Sequence, residues 1–271
     1  MKDSFIAIGK AVGYFAVYLF IQIGVSMLFS IGLTAKLTME FMAVGEEPNA
    51  NTMMFLVSEE IMNQAMFITF IAGVLTFLVY WLVCVLRKKK FLKEVCIRKI
   101  RVEAIFPIAL LAGCFNVITS VIISLIPWPQ SWMDSYVTNS SAIDGSVMAW
   151  LTAVLMAPVL EEVVFRGFVY TRLKKGLGKI AAVILTSLIF GIAHGTVIWF
   201  IYTFIFSIIL IWIFEKFQSL TASILLHMAY NLSGMALSLI PEEAGILVLV
   251  LFVAAFVGVK FAYKRIACIL Y

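Results

Sequence analysis

The chain places charged and polar side chains inside apolar stretches, and their types are those that catalyse hydrolysis. The segment PVLEEVVFRG (158–167) carries two adjacent carboxylates and a guanidinium within an apolar run long enough to cross a membrane. The two histidines lie further on, one in FGIAH (190–194) and one in HMAYN (227–231). The candidate site residues are Glu161, Glu162, Arg166, His194, His227 and Asn231. Each charge at the bilayer centre costs about 2.5–3.5 kcal/mol on insertion scales, so the cluster requires a polar interior and a function.

The composition indicates a membrane protein. Of the 271 residues, 63% are hydrophobic and 13% are charged, whereas a soluble domain is about 45–50% apolar and about 25% charged. The sequence therefore predicts an all-α polytopic membrane protein with about eight transmembrane helices, because apolar runs of about 20 residues cross a bilayer as helices. The predicted spans are residues 11–33, 61–86, 104–126, 147–170, 180–196, 197–214, 219–239 and 245–263. The stretches 34–60 and 127–145, which contain Pro, Gly and Asn, are predicted to be outer connections.

Basic residues orient these spans. With a cytoplasmic N-terminus, 18 of the 20 Lys and Arg residues fall in inside segments, as the positive-inside rule requires. Both termini and the basic loop 87–103 are therefore predicted to be cytoplasmic. The outer loops collect the acidic residues Glu40, Glu46, Glu47, Glu59, Glu60, Asp134, Asp144, Glu242 and Glu243. Topology and contact with anionic inner-leaflet lipids explain the net charge of +5, so no nucleic acid partner is expected.

These features divide the chain into three parts. Residues 1–140 hold transmembrane helices 1–3 and the basic loop, and residues 141–240 hold the candidate site on helices 4–7. Residues 241–271 hold the last transmembrane helix and a cytoplasmic tail. The four cysteines show no CxxC spacing and none lies in an outer loop, so they are predicted to be free thiols.

Helical geometry predicts that the candidate residues share one chamber. At 100° per residue, Glu162 and Arg166 lie about 40° apart on one helix face, whereas Glu161 is rotated by about 100° from Glu162. At about 1.5 Å per residue from the nearest cytoplasmic basic residues, Glu161, His194 and His227 lie about 15–22 Å deep. All three therefore fall within the middle slab of a bilayer core that is about 30 Å thick.

Structural roles account for these residues one at a time. Glu162 and Arg166 could form an ion pair that locks two helices. His227 and Asn231 could be hydrogen-bonding groups between helices, and His194, near the end of a span, could face the interface. None of these roles explains why both histidines and the densest intramembrane charge cluster share one depth. Peptide hydrolysis does, since it requires a base for water and donors for an oxyanion.

Three motifs resemble those of the CPBP intramembrane endopeptidases, a group that includes the Ras-converting CAAX endopeptidases and bacterial proteins described as abortive-infection or bacteriocin-immunity factors. EEVVFR fits EExxxR, FGIAH fits FxxxH and HMAYN fits HxxxN, in order, within residues 145–235. The resemblance implies that Glu161 and His194 activate a water and that His227 and Asn231 form an oxyanion hole. It implies that Glu162 and Arg166 position the helix and tune the acid. With Glu161 acting on a free water, no cofactor or metal is expected.

Other functions stay open on the sequence alone. Two glutamates and two histidines could bind zinc in a metalloprotease, although HExxH is absent. A membrane scaffold or immunity factor could retain the pocket without catalysis. A transporter is disfavoured, because the two halves lack matched broken helices. The interpretation adopted is a glutamate-type endopeptidase of a bacterial plasma membrane, whose partners are the lipid bilayer and a membrane-associated peptide or protein substrate.

Overall fold

A computed structural model of the protein describes residues 2–45, 47, 49–141, 143, 145–241 and 244–270, and every regular element within them is helical. The helices are α1 (Lys2–Ala43), α2 (Ala50–Asn63), α3 (Ala65–Leu86), α4 (Phe91–Glu94), α5 (Ile105–Leu125), α6 (Gln130–Ser141), α7 (Val147–Leu177), α8 (Lys179–Ile192), α9 (Val197–Phe217), α10 (Leu220–Leu237) and α11 (Gly245–Leu270). A 3-10 turn, Val102–Ala104, leads into α5. The predicted all-α fold class is confirmed.

Seven of the described helices are long and apolar enough to cross a membrane, namely α1, α3, α5, α7, α9, α10 and α11. The chain is an integral multi-pass membrane protein. α8 is also apolar but has only 14 residues, a length of about 21 Å that is shorter than a bilayer core of about 30 Å. The predicted fifth span, 180–196, is therefore a short helix that ends at Ile192, with His194 in the turn to α9.

The two stretches predicted as outer connections are largely helical rather than irregular. α1 extends to Ala43 and α2 begins at Ala50, both within the predicted connection 34–60. The chain reverses at Gly45, which has a φ of 77°, and the Asn49 side chain caps α2 by accepting a hydrogen bond from a backbone N–H in its first turn. α6 likewise fills most of the second predicted connection. Turn-forming residues marked the reversal but did not prevent helix on either side of it.

α7 carries the EExxxR motif and departs twice from α-helical hydrogen bonding. It is π-helical at Leu151–Met156 and again at Glu162–Tyr170, on either side of Pro158. Proline has no backbone N–H, so the regular pattern cannot pass through this position unchanged. All nine residues of the second π segment are buried. Because i→i+5 bonding turns each residue by less than 100°, the angles predicted for an ideal α-helix hold only approximately here.

The basic segment 87–103 packs against α3 and α7. Phe91 of α4 meets Phe77 of α3 edge to face, with 5.1 Å between ring centroids. Val95 lies against Gly167 of α7 so closely that a Cβ added to the glycine would lie 3.0 Å from the valine side chain. A larger residue at this position would push the segment away from α7. The segment therefore supports α7 next to its second π segment.

The inside–outside assignment and the division at residues 140 and 240 stay predictions. Some of the acidic residues assigned to outer loops lie outside the described residues, namely Glu46, Asp144, Glu242 and Glu243. Others occur on α1, α2 and α6, which connect or extend the spanning helices on the predicted outer side.

Cys268 provides a direct test of this topology. It is exposed near the C-terminus, whereas Cys84 and Cys114 are buried and Cys96 is partly buried. A membrane-impermeant maleimide added to intact cells should leave Cys268 unlabelled and should label it once the membrane is permeabilised. A cysteine placed at the exposed Ser58 of α2 should be labelled in intact cells. Labelling of Cys268 from outside would overturn the predicted orientation.

Candidate active site

The Glu162 carboxylate is the centre of a buried polar network. Its Oε1 accepts a hydrogen bond from Arg166 Nη1 at 2.9 Å and lies 3.0 Å from His227 Nδ1. Its Oε2 accepts a hydrogen bond from Ser223 Oγ. The side chains of Glu162 and Arg166 are both 0% exposed. A carboxylate at this depth is stable only when it is paired and hydrogen-bonded, and these contacts meet that condition.

Arg166 joins three helices around that carboxylate. Its Nη2 donates to Ser207 Oγ at 2.8 Å and to the Ser207 carbonyl at 3.3 Å, which ties α7 to α9. Its guanidinium lies 4.3 Å from the centroid of the Phe190 ring on α8. Such cation–π contacts are strongest where water is excluded. The Glu162–Arg166 pair is therefore a structural lock between helices, whatever else it does.

His227 faces both adjacent glutamates. Its Nδ1 contacts Glu162, and its Nε2 lies 3.8 Å from Glu161 Oε2. The ring packs against Phe206 and Phe190, with centroid separations of 5.3 and 6.1 Å. An ionised carboxylate only accepts hydrogen bonds, so Nδ1 carries the hydrogen in its contact with Glu162. The contact fixes the ring and directs Nε2 towards Glu161.

Glu161 differs from its neighbour because it lacks a hydrogen-bonded partner in the described part of the chain. Its Oε2 is buried and accepts no hydrogen bond from those residues, although the side chain as a whole is 18% exposed. His227 Nε2 of α10 lies 3.8 Å from this oxygen. Glu161 is thus a partly accessible carboxylate beside His227, with an oxygen that accepts no hydrogen bond from the described residues.

His194 occupies the turn between α8 and α9. Its Nδ1 lies 2.7 Å from the Phe190 carbonyl oxygen. Since a carbonyl can only accept, Nδ1 carries the hydrogen and Nε2 of the neutral ring is an acceptor. Gly195 follows with a φ of 84°, a conformation that side chains rarely adopt, and it allows the chain to reverse directly after the histidine.

Asn231 approaches the first π segment of α7. Its Nδ2 donates to the Ala153 carbonyl at 2.7 Å, and the amide nitrogen carries a second hydrogen that it can donate elsewhere. The structure thus brings Glu161, Glu162 and His227 into one contact group with the buried arginine. His194 contacts the Phe190 ring that also lies against Arg166, with 4.6 Å between the two ring centroids. Asn231 contacts α7 at Ala153.

Sequence reasoning missed three residues that complete the network. Ser223 lies four residues before His227 and therefore on the same face of α10, a spacing that could have identified it. Phe190 opens the FxxxH motif, but nothing in the motif shows that its ring supports Arg166 and His194. Ser207 lies in a largely apolar helix and in none of the three motifs, and only the tertiary structure identifies it.

The contacts of the candidate side chains bear on whether they could bind zinc. Across the described residues, no group of three or more His, Cys, Asp or Glu side chains is arranged to hold a metal ion. Both oxygens of Glu162 are engaged by protein donors, and His194 directs Nδ1 to a backbone carbonyl. Glu162 is therefore not free to bind zinc, whereas Glu161 Oε2 accepts no hydrogen bond from the described residues.

A known protein family matches the segment that carries these residues. Residues 143–233 match a family model described as type II CAAX prenyl endopeptidase Rce1-like. The predicted resemblance is confirmed over this segment. The segment begins just before α7, ends within α10 and includes all six candidate residues.

A second comparison covers part of the chain. The UPF0177 protein YbdI of Lactococcus lactis subsp. lactis (strain IL1403) is 26% identical over 121 residues. The match spans 43% of this chain and 65% of that protein, which is less than two-thirds of the relative. No solved structure matches the chain.

Proposed function

We propose that the protein is an intramembrane endopeptidase that hydrolyses a membrane-associated peptide or protein, with Glu161 as the base. The observation that carries the proposal is the uncommitted Glu161 Oε2, which lies 3.8 Å from His227 Nε2. A general base needs a free lone pair within reach of the water it deprotonates. The similarity of residues 143–233 to CAAX-type endopeptidases supports this reaction class, and the relative from Lactococcus lactis supports a bacterial plasma membrane as the location.

Water is activated between Glu161 and His194. The Glu161 carboxylate accepts a proton from the water, while His194 Nε2 accepts the second hydrogen bond of the same molecule and orients it. The hydrogen bond from His194 Nδ1 to Phe190 keeps Nε2 in its acceptor form. The water oxygen then bonds to the carbonyl carbon of the peptide, and the π electrons of the carbonyl pass to its oxygen as an oxyanion.

His227 and Asn231 stabilise that oxyanion. Asn231 donates its second Nδ2 hydrogen. His227 Nε2 donates when the ring carries a hydrogen on both nitrogens. The proton on Glu161 then passes to the amide nitrogen as the C–N bond breaks, which releases an amine and a carboxylic acid. Glu162 acts through His227 and is a positioning residue.

Reconstituted protein in oxygen-18 water tests the proposed reaction. Purified protein in proteoliposomes should cleave a polypeptide from membranes of cells that lack this protein. Each cleavage should give a pair of fragments, and the new C-terminus should carry one oxygen-18 atom, as hydrolysis requires. Failure to release fragments from any membrane-associated polypeptide would contradict the proposal, as would fragments released equally by the Glu161→Gln variant.

Asn231→Ala should lower turnover by about 10²–10³-fold, because it removes an oxyanion donor. Asn116→Ala is a matched control, since Asn116 is a buried amide that donates to the Tyr230 carbonyl at 3.2 Å and lies outside the proposed machinery. Both variants lose a side chain-to-backbone hydrogen bond, so both should lose about 1 kcal/mol of stability. Only Asn231→Ala should lose most activity in the proteoliposome assay. Equal activity losses in the two variants would remove the oxyanion role.

Chelation separates the proposed mechanism from a zinc mechanism. If Glu161 acts on a free water, prolonged dialysis against EDTA should leave turnover unchanged. Elemental analysis of the purified protein should then find no stoichiometric metal. A loss of activity that zinc restores would instead favour a metalloprotease, since a ligand-bound metal would activate the water.

A further inference from the structure

A cavity of about 650 Å³ lies at the cytoplasmic end of α3, between that helix and the basic segment. Phe77 and Trp81 of α3 form one apolar wall and Phe91 of α4 forms another. Phe77 and Trp81 lie nine and five residues before the end of α3 at Leu86, which places them about 8–14 Å further into the membrane than that end. The apolar walls therefore begin at the depth of acyl chains.

The rim of the same cavity is cationic. Lys90, Lys93 and Arg98 line it, and no acidic residue does. None of the three forms an ion pair with any of the described residues. Three basic side chains held together without a counter-charge repel one another, which an anion among them would relieve.

The nearby acidic residue is not available to this rim. Glu94 forms ion pairs with Lys89 at 3.0 Å and with Arg172 of α7. Burial raises the pKa of the Glu94 carboxyl, but the hydrogen bond from Lys89 and the charge of Arg172 lower it more, so its pKa lies below the ordinary value. Glu94 is therefore ionised and already paired on the side that faces α7.

We propose that this cavity binds one anionic phospholipid of the cytoplasmic leaflet, with an acyl chain against Trp81 and Phe77 and the phosphate among Lys90, Lys93 and Arg98. A soluble anion would use the cations but leave the apolar walls bare. An uncharged lipid would use the walls but leave the cations without a counter-charge. An amphiphile with a negative headgroup satisfies both, and the depth of the cavity matches the boundary where such headgroups lie.

The bound lipid would also brace α7. Phe91, which forms part of the cavity wall, lies 6.3 Å from Phe168 of the second π segment, measured between ring centroids. Val95 of the same segment packs on Gly167. Occupancy of the cavity should therefore raise the thermal unfolding temperature, because a ligand that binds only the folded state stabilises it.

Native mass spectrometry of the full-length protein released from detergent tests the proposal. Wild-type protein should retain one phosphatidylglycerol at least about tenfold more tightly than phosphatidylcholine of the same chain length. The triple variant K90Q/K93Q/R98Q should lose this preference and the accompanying rise in unfolding temperature. The matched triple variant K88Q/K99Q/K175Q changes three other lysines on the predicted cytoplasmic side. Its preference for phosphatidylglycerol should stay within about threefold of the wild-type value, and its unfolding temperature should still rise when the lipid binds.

The outcomes that would overturn the proposal are distinct. Equal retention of the two lipids by wild-type protein would show that the cavity does not select a negative headgroup. Equal losses in both triple variants would show only general attraction to a basic surface. Displacement of phosphatidylglycerol by soluble glycerol phosphate would show a site for a free anion. If the triple variant K90Q/K93Q/R98Q does not fold, the Trp81→Ala variant tests the proposal instead. It should weaken phosphatidylglycerol binding at least threefold, whereas Leu82→Ala, at an equally exposed neighbour, should not.

Discussion

Replacing Glu161 by glutamine is expected to lower turnover by at least about 10²–10⁴-fold while the protein remains folded. Glutamine keeps the size of the side chain but cannot accept the proton of the attacking water. Glu161 Oε2 accepts no hydrogen bond from the described residues, so the substitution breaks none there. The experiment compares kcat in proteoliposomes with the thermal unfolding temperature of the same preparation.

Two further variants test whether the effect of Glu161→Gln comes from the loss of a general base. Glu162→Gln, one residue away, should instead lower the unfolding temperature, because Arg166 and His227 lose the charge that they share. Combining Glu161→Gln with His194→Ala should cost little more than either change alone, since residues that act as one unit are not additive. Near-normal turnover in a well-folded Glu161→Gln protein would rule out Glu161 as the base.

Arg166→Ala is expected to lower the free energy of unfolding by about 3–5 kcal/mol, because it leaves a buried carboxylate without its cation. It also removes the two hydrogen bonds to Ser207 and the contact with Phe190 that hold α7, α8 and α9 together. Activity should fall in parallel with the amount of folded protein. SDS titration of the purified variants measures the change in stability.

A matched pair of variants separates the buried charge from simple loss of packing. The double variant E162Q/R166M replaces the ion pair by uncharged groups of similar size, so it should recover part of the stability lost in Arg166→Ala. Arg172→Ala removes a partly exposed ion pair to Glu94 and should cost much less. An Arg166→Ala protein with wild-type stability would show that Glu162 does not depend on this partner.

The residues of the site could be predicted from the sequence because the membrane makes them conspicuous. A carboxylate, a guanidinium and two imidazoles cannot face lipid, so their depth along apolar helices predicts a common interior. The Glu162–Arg166 spacing places the pair on one face of α7, where it forms the ion pair. Pattern and motif together thus predicted that His227 would lie beside the two adjacent glutamates. The meeting of His194 and Asn231 with this group stays a prediction.

The partners supplied by other helices could not be predicted in the same way. Ser207 is one of several polar residues on the largely apolar helix α9, and its role depends on how α9 is rotated against α7. The orientation of His227 depends on which nitrogen meets Glu162, which no spacing determines. The π segments and the 14-residue length of α8 also depend on tertiary packing rather than on hydropathy.

The most direct test of the central claim compares cells that carry wild-type protein with cells that carry Glu161→Gln at the same level. Mass spectrometry of membrane and medium fractions should detect paired fragments of a membrane-associated peptide or protein in the wild-type cells. The proposed mechanism predicts that these fragments disappear in the Glu161→Gln cells. The same fragments in both, or full biological complementation by well-expressed Glu161→Gln protein, would contradict proteolysis by Glu161 as the function of the protein.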